Sequence, residues 1–237
     1  VQTVVEKAGL YFIFLQKWLK RPANCAISGN RAGNMIKYIH IVKASAWNKS
    51  MYVNLIKGGC AVRNDIHIVL DSIAVAEETP LRDDPRCHVV PLLVRHGDTE
   101  WVDGEKSLQE MFAMVEASGQ LPKTSQPAIG RFLDVFTELA ADGKKVIAIM
   151  LDGVLSGTVQ TARLAARQVM SEIPGSDIRV FDSLTAACPI SGMAMEVLAY
   201  AETGATMDEL EEYLKGLIER TETYFSVNTL DYLQKGG

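Results

Sequence analysis

The sequence predicts an α/β fold: a mainly parallel sheet flanked by helices, followed by the start of a second, incomplete α/β domain. Three observations carry that expectation. From residue 66 onward, short apolar runs alternate with segments of helical period. Residues 146–151 are continuously apolar, as strands buried on both faces are. Small hydroxyl, acidic and glycine residues collect just after several of the runs, where open α/β sheets place their ligand loops.

In chain order, residues 66–70 form a compact apolar run that ends at Asp71-Ser72. Residues 88–94 read as a second strand. Residues 108–117 carry Leu108, Met111, Phe112 and Val115, the rhythm of an amphipathic helix, and residues 131–141 repeat it with Phe132, Phe136 and Leu139. After the buried strand 146–151, a loop at 152–157 leads into a helix from Thr158 to about Met170. Residues 178–181 are the next strand, with Asp182-Ser183 at its carboxyl end. Helices follow near 190–202 and 207–220, separated by the stop signal of Gly204. Residues 224–227 read as a strand. Residues 1–65 differ in texture: aromatics cluster near Tyr11–Trp18, and Pro22, Gly29 and Gly33 punctuate the stretch beyond Trp18. These readings divide the 237 residues into an amino-terminal segment 1–65, a domain 66–182 and the start of another at 183–237.

Bulk properties narrow the function classes. A net charge of −5 without basic blocks is a poor match to nucleic acid, whose recognition leans on Lys/Arg–phosphate contacts. No apolar run reaches the roughly 20 residues of a membrane span. The longest candidate, residues 8–15, precedes Lys17, Lys20 and Arg21, the reverse of a secretory signal, so a cytosolic location is expected. Cys25, Cys60, Cys87 and Cys188 have no zinc-site spacing and fit small buried apolar roles. Gly29 and Gly33 lack the spacing of a phosphate loop. Acidic pairs such as Asp83-Asp84 and Glu211-Glu212 belong to loops or a solvated helix face. No metal, cofactor or catalytic group is expected.

Three loops carry the chemistry-bearing residues: Asp71-Ser72, Lys123-Thr124-Ser125-Gln126-Pro127 and Leu155-Ser156-Gly157-Thr158. The last opens into a helix, whose free N–H groups and dipole favour an anionic head group, and Gly157 lets a ligand approach the backbone. The competing reading makes Ser156 or Thr158 a helix cap and Thr124-Ser125 a turn capping the Arg131 helix.

These residues also resemble a known family. Ile68-Val69-Leu70-Asp71-Ser72 is similar to the opening strand of DegV proteins. It is followed in the expected order by His88-Val89-Val90-Pro91-Leu92, Gly97-Asp98-Thr99-Glu100 and Asp103-Gly104. Then come Leu121-Pro122-Lys123-Thr124-Ser125-Gln126-Pro127, Leu155-Ser156-Gly157-Thr158, Val180-Phe181-Asp182-Ser183 and Thr229-Leu230-Asp231-Tyr232-Leu233. The resemblance implies a protein that binds a long-chain fatty acid, in some members presenting it to a kinase subunit. It implies a carboxylate end near Thr124 and the Ser156–Thr158 loop, with Asp71, Ser72, Ser125 and Gln126 beside it.

Departures qualify that site. The family's two serines before the Leu-Ser-Gly-Thr motif are Asp152 and Gly153 here, removing a donor and adding a negative charge. A glycine-rich helix start has become Cys188-Pro189-Ile190-Ser191. The family continues past Lys235-Gly236-Gly237, so the resemblance implies a second domain cut short at this point, without the basic and histidine residues associated with transfer to the kinase. An apolar patch around Tyr224, Phe225 and Leu230 is then expected.

A competing motif is Leu93-Val94-Arg95-His96-Gly97-Asp98-Thr99-Glu100-Trp101, which resembles the phosphohistidine motif of histidine phosphatases. That chemistry needs a second histidine downstream, and none follows His96. The same residues fit a DegV hairpin with Trp101 in place of tyrosine. Ser28-Gly29-Asn30 and residues 36–41 are similar to the segment joining dihydroxyacetone-kinase-like and DegV modules in fusion proteins. Of its His-x-His metal pair only His40 is present.

Overall fold

The computed structural model describes residues 65–223. The chain divides into two compact units: residues 65–106 and Pro122–Arg220 belong to one, Ser107–Leu121 and residues 221–223 to the other. The expected segment 1–65 apart from Asp65, the strand at 224–227 and the patch around Tyr224, Phe225 and Leu230 lie outside the described residues. Both helices beyond Ser183 share a unit with the parallel sheet: the helix Cys188–Ala201 packs onto it, and the helix Met207–Arg220 packs onto that helix.

In the larger unit, β1 (Ile66–Asp71), β2 (Cys87–Val90), β6 (Lys145–Met150) and β7 (Ile178–Asp182) form a four-stranded sheet in the order β2-β1-β6-β7. Every pairing is parallel, with Leu70 beside Ile149 and Met150 beside Asp182. β3 (Leu93–His96), β4 (Thr99–Val102) and β5 (Lys123–Ser125) form a small antiparallel sheet in the order β4-β3-β5. The expected strand at 88–94 is therefore two strands in two sheets. Pro91 supplies no N–H to continue the ladder, and the chain changes partners across Pro91-Leu92.

Helices α2 (Ile129–Ala141), α3 (Thr158–Glu172), α4 (Cys188–Ala201) and α5 (Met207–Arg220) belong to the same unit. Period-2 alternation sends Val69, Val146, Ala148 and Met150 to one face of the sheet, where they join Phe132, Phe136, Val159, Ala162, Ala166 and Val169. The last four recur at i, i+3, i+7 and i+10 on α3, and their small side chains let the helix sit close to the strands. Phe132 and Phe136 pack with ring centroids 5.8 Å apart. On the other face α4 covers β1 and β6 and buries Ile190, Ala194, Val197 and Leu198 completely.

In the smaller unit α1 (Leu108–Ser118) begins with a capping box: the Ser107 hydroxyl accepts from the Glu110 N–H, and Glu110 accepts from the Ser107 N–H at 2.7 Å. It ends on Gly119 in the left-handed region. Among the described residues no helix is long and apolar enough to cross a membrane.

Candidate functional site at the carboxyl edge of the sheet

Because β1, β6 and β7 run parallel, their carboxyl ends bring Asp71, the loop after Met150 and Asp182 to one edge. Asp71 is fully buried. One of its oxygens accepts from the Leu151 N–H at 2.6 Å, the other from the Ile73 N–H at 3.1 Å. Burial pushes its carboxyl up to about 6, against hydrogen bonds from Leu151, Ile73 and Ala74 that pull it down. Asp71 thereby ties β1 to the start of the loop. Ser72 also works inward: its hydroxyl donates to Asp103 at 2.7 Å and accepts from the Leu92 N–H at 3.1 Å.

The loop between β6 and α3 is folded by its own acidic residues. The Asp152 N–H donates to the Thr185 carbonyl, and its carbonyl accepts from Leu155 and Ser156. Its carboxylate accepts from the Val154 N–H at 2.9 Å. The Gly153 N–H points at both oxygens of Asp182 at 3.1 Å, and one of those oxygens also accepts from Leu184. A Cβ at position 153 would lie 2.6 Å from an Asp182 oxygen, so glycine is what lets that carboxylate approach. Next along, the Ser156 hydroxyl lies 2.8 Å from the Thr158 hydroxyl and accepts weakly from the Thr158 N–H. Thr158 is fully buried. No side chain caps α3 at Gly157, although Ser156 takes up its first N–H.

The antiparallel sheet supplies the other wall. Residues 123–125 are strand, where a turn was the alternative expectation, and α2 starts at Ile129 without a side-chain cap. Thr124 pairs with Val94 and shares its face, whereas Lys123 and Ser125 face the other way with Arg95 and Leu93. The following Gln126 lies over Gly157, filling the space a side chain there would occupy. Its amide donates to the Thr161 hydroxyl at 3.0 Å. Gln126 therefore joins the 123–127 segment to the first turn of α3.

Beside these polar groups lie three exposed large apolar side chains: Val154 at 90%, Leu155 at 68% and Leu184 at 62%. Leu184 and Gly153 donate to the same Asp182 oxygen, which sets Leu184 beside the Val154 turn. Leu184 has φ 52° and Ala187 φ 62°, both in the region that favours glycine. Asp182, Leu184 and Thr185 are the site residues that sequence reasoning underweighted. Their signal was Asp182-Ser183 at a strand's carboxyl end, but that β7 lies next to β6 is a fact of topology.

His96 lies elsewhere, on the β3–β4 hairpin beside the turn at Gly97, with the Arg95 side chain exposed and donating to the Gly97 carbonyl. The other described histidines pair with each other: His67 Nδ1 is 2.8 Å from His88 Nε2. Among the described residues no three His, Cys, Asp or Glu side chains gather as a metal site.

The sequence profile of the DegV family, described as an uncharacterised protein family, matches residues 65–237. The DegV domain-containing protein YejH of Lactococcus lactis is 33% identical over 172 residues, which are 73% of this chain and 60% of that protein. A DegV domain-containing protein of Streptococcus pneumoniae serotype 4 is 32% identical over 173 residues, again 73% of this chain and 60% of the relative. Among solved structures, a DegV family protein from Thermus thermophilus described for its fatty-acid binding is similar with 30% identity and a TM-score of 0.58. The match covers 65% of this chain and 54% of that one. A DegV protein from Ruminococcus gnavus, solved with vaccenic acid, gives 25% identity and a TM-score of 0.60 over 65% of this chain and 55% of that one. The chain thus spans somewhat over half the length of these relatives. With the loop motifs in family order and the strands in a matching fold, this chain belongs to the DegV family.

Proposed function

We propose that this protein binds a long-chain acyl lipid at the carboxyl edge of its parallel sheet. The observation that carries the reading is the exposed trio Val154, Leu155 and Leu184 beside a hydroxyl-bearing loop at the start of α3. A soluble ligand gains little from such side chains, whereas an acyl chain buries them at about 25 cal/mol per Å². Relatives with the same fold are described as fatty-acid-binding proteins, which supports the ligand class. Thr124, Gln126, Ser156 and Gly157 border the polar end in this reading, and Ser125 faces away from it. Asp71, Ser72 and Thr158 hold that border from beneath, and Asp152 and Gly153 shape its rim. No chemical step is assigned to the chain. Its role is to carry the lipid, in the cytosol, and to present it to a kinase subunit.

Native mass spectrometry of protein purified from cells tests the reading. The expected result is a retained species with the mass of a long-chain acyl lipid. Thr124→Val is expected to weaken retention by about 1–3 kcal/mol through loss of a polar partner for the head group. Protein that carries no lipid and takes none up from a supplied mixture would overturn it.

A further inference from the structure

We infer that Gln126 is a positioning residue for the lipid head group: it fastens the strand that carries Thr124 to the first turn of α3. The inference rests on the acyl-lipid reading above and deepens it. β5 is an edge strand, paired with β3 alone in the order β4-β3-β5. All three of its residues are exposed, so little apolar burial holds it in place. Pro127 keeps the chain extended at Gln126, and the two-residue period of extended chain brings Gln126 to the side of Thr124. From there its amide donates to the Thr161 hydroxyl at 3.0 Å. Among the described residues this is the one hydrogen bond that joins 123–127 to 152–161. The Thr161 hydroxyl in turn donates to the Gly157 carbonyl at 3.3 Å. Amide, hydroxyl and carbonyl form a relay that wraps Gly157, where a Cβ would collide with the Gln126 amide oxygen.

The relay holds β5 against the N–H groups of Gly157 and Val159, which have no acceptor among the described residues. The Thr158 N–H between them is taken by the Ser156 hydroxyl. Open N–H groups at a helix start suit an anionic head group, and Thr124 offers a hydroxyl from β5. A head group shared between α3 and β5 needs a set spacing, because hydrogen bonds weaken steeply once length and angle depart from their optimum. Gln126 is exposed and fills no core, so this link is what its side chain contributes.

The test is displacement of a neutral naphthylamine fluorophore from the purified, delipidated chain by oleate and by methyl oleate, at about pH 8, where oleate is ionised. Methyl oleate has the same acyl chain without the charged head group. Gln126→Ala and Thr161→Val each break the relay, and each is expected to weaken oleate about fivefold while methyl oleate stays within about twofold of the parent. Thr161→Ser keeps the hydroxyl and is expected to hold oleate within about twofold of the parent. A thermal melt of every variant separates positioning from folding. Oleate and methyl oleate weakening together, oleate unmoved by both relay-breaking variants, or Thr161→Ser failing like Thr161→Val would overturn the inference and leave acyl-lipid binding standing. So would a parent that binds oleate no better than methyl oleate. A parent that binds neither lipid would remove the lipid reading itself, and this inference with it.

Discussion

Asp71 shows how a motif residue that looks like a ligand can be a structural brace. Its two oxygens hold the Leu151 and Ile73 N–H groups, and burial raises its carboxyl to about 6 from an ordinary value near 3.8. In the unfolded chain it ionises earlier, so between these values the folded state holds more proton. Its contribution to stability is therefore fully present at low pH and falls as pH rises through about 6, by up to about 3 kcal/mol. His88 acts in the opposite sense: burial first, then the neighbouring His67, lowers its proton affinity, so acid costs stability there. Comparing the parent with Asp71→Asn cancels the histidine term. The penalty of that substitution, from urea unfolding, is expected to be larger at about pH 4 than at pH 7. A penalty that grows with pH would show that Asp71 is held as an anion.

A glycine is equally informative. Gly157→Ala would drive the new methyl into Gln126, which must swing off α3 and give up its bond to Thr161. Hydrogen-bond loss of this kind costs about 0.5–1.5 kcal/mol. Chemical denaturation should read a destabilisation of that size, and a neutral effect would mean that Gln126 has room to move.

At the scale of elements, the ion cluster around Arg86 ties α4 to the approach to β2. Its guanidinium forms a two-pronged pair with Asp84, at 3.0 and 2.8 Å, and a further pair with Glu202 just past the end of α4. Arg86 holds Asp84 below the usual carboxylate range, although burial alone would raise it. Arg86→Met leaves two acidic groups facing each other in a poorly solvated site, and a loss of about 3–5 kcal/mol is expected. Arg86→Met combined with Asp84→Asn and Glu202→Gln should recover part of it. A thermal melt of each variant decides this.

Elements with a long periodic signal were legible in the sequence. The 3.6 rhythm of residues 131–141 corresponds to α2, residues 207–220 to α5, and the apolar run at 146–151 to β6. Short strands were not. β5 has three exposed residues, Lys-Thr-Ser, with no apolar alternation, and it is strand because β3 offers a ladder partner. The break at Pro91 was in view, but local sequence does not say that the strand beyond it joins a second sheet.

For the molecule as a whole, sequence motifs sorted the site residues by type and could not sort them by direction. Thr124 and Ser125 are adjacent and read alike, yet strand alternation sends them to opposite faces. Asp71 and Asp152 are both loop acids, yet one is sealed beneath the loop and the other lies on its rim. Direction depends on register, and register is set by partners far along the chain. The phosphohistidine-like motif follows the same logic. His96 belongs to a hairpin turn, so His96→Ala is expected to leave lipid retention unchanged, and the parent should show no phosphomonoesterase activity. Robust activity abolished by that substitution would reverse the reading.

The short joint at Pro91-Leu92 has a mechanical consequence. The small sheet carrying Thr124 leaves the large one through two residues, and Ser72 acts there as a strut: it grips the Leu92 N–H on one side and Asp103, just beyond β4, on the other. With the strut in place, the wall bearing Thr124 is held in register with the end of β1. Without it, as in Ser72→Ala, the wall keeps its Gln126 tie to α3 but loses its brace at the Pro91-Leu92 end. Amide exchange in β3 and β4 should then quicken while β1 and β6 stay protected, and a lipid held against this wall should leave faster than it does from the braced protein.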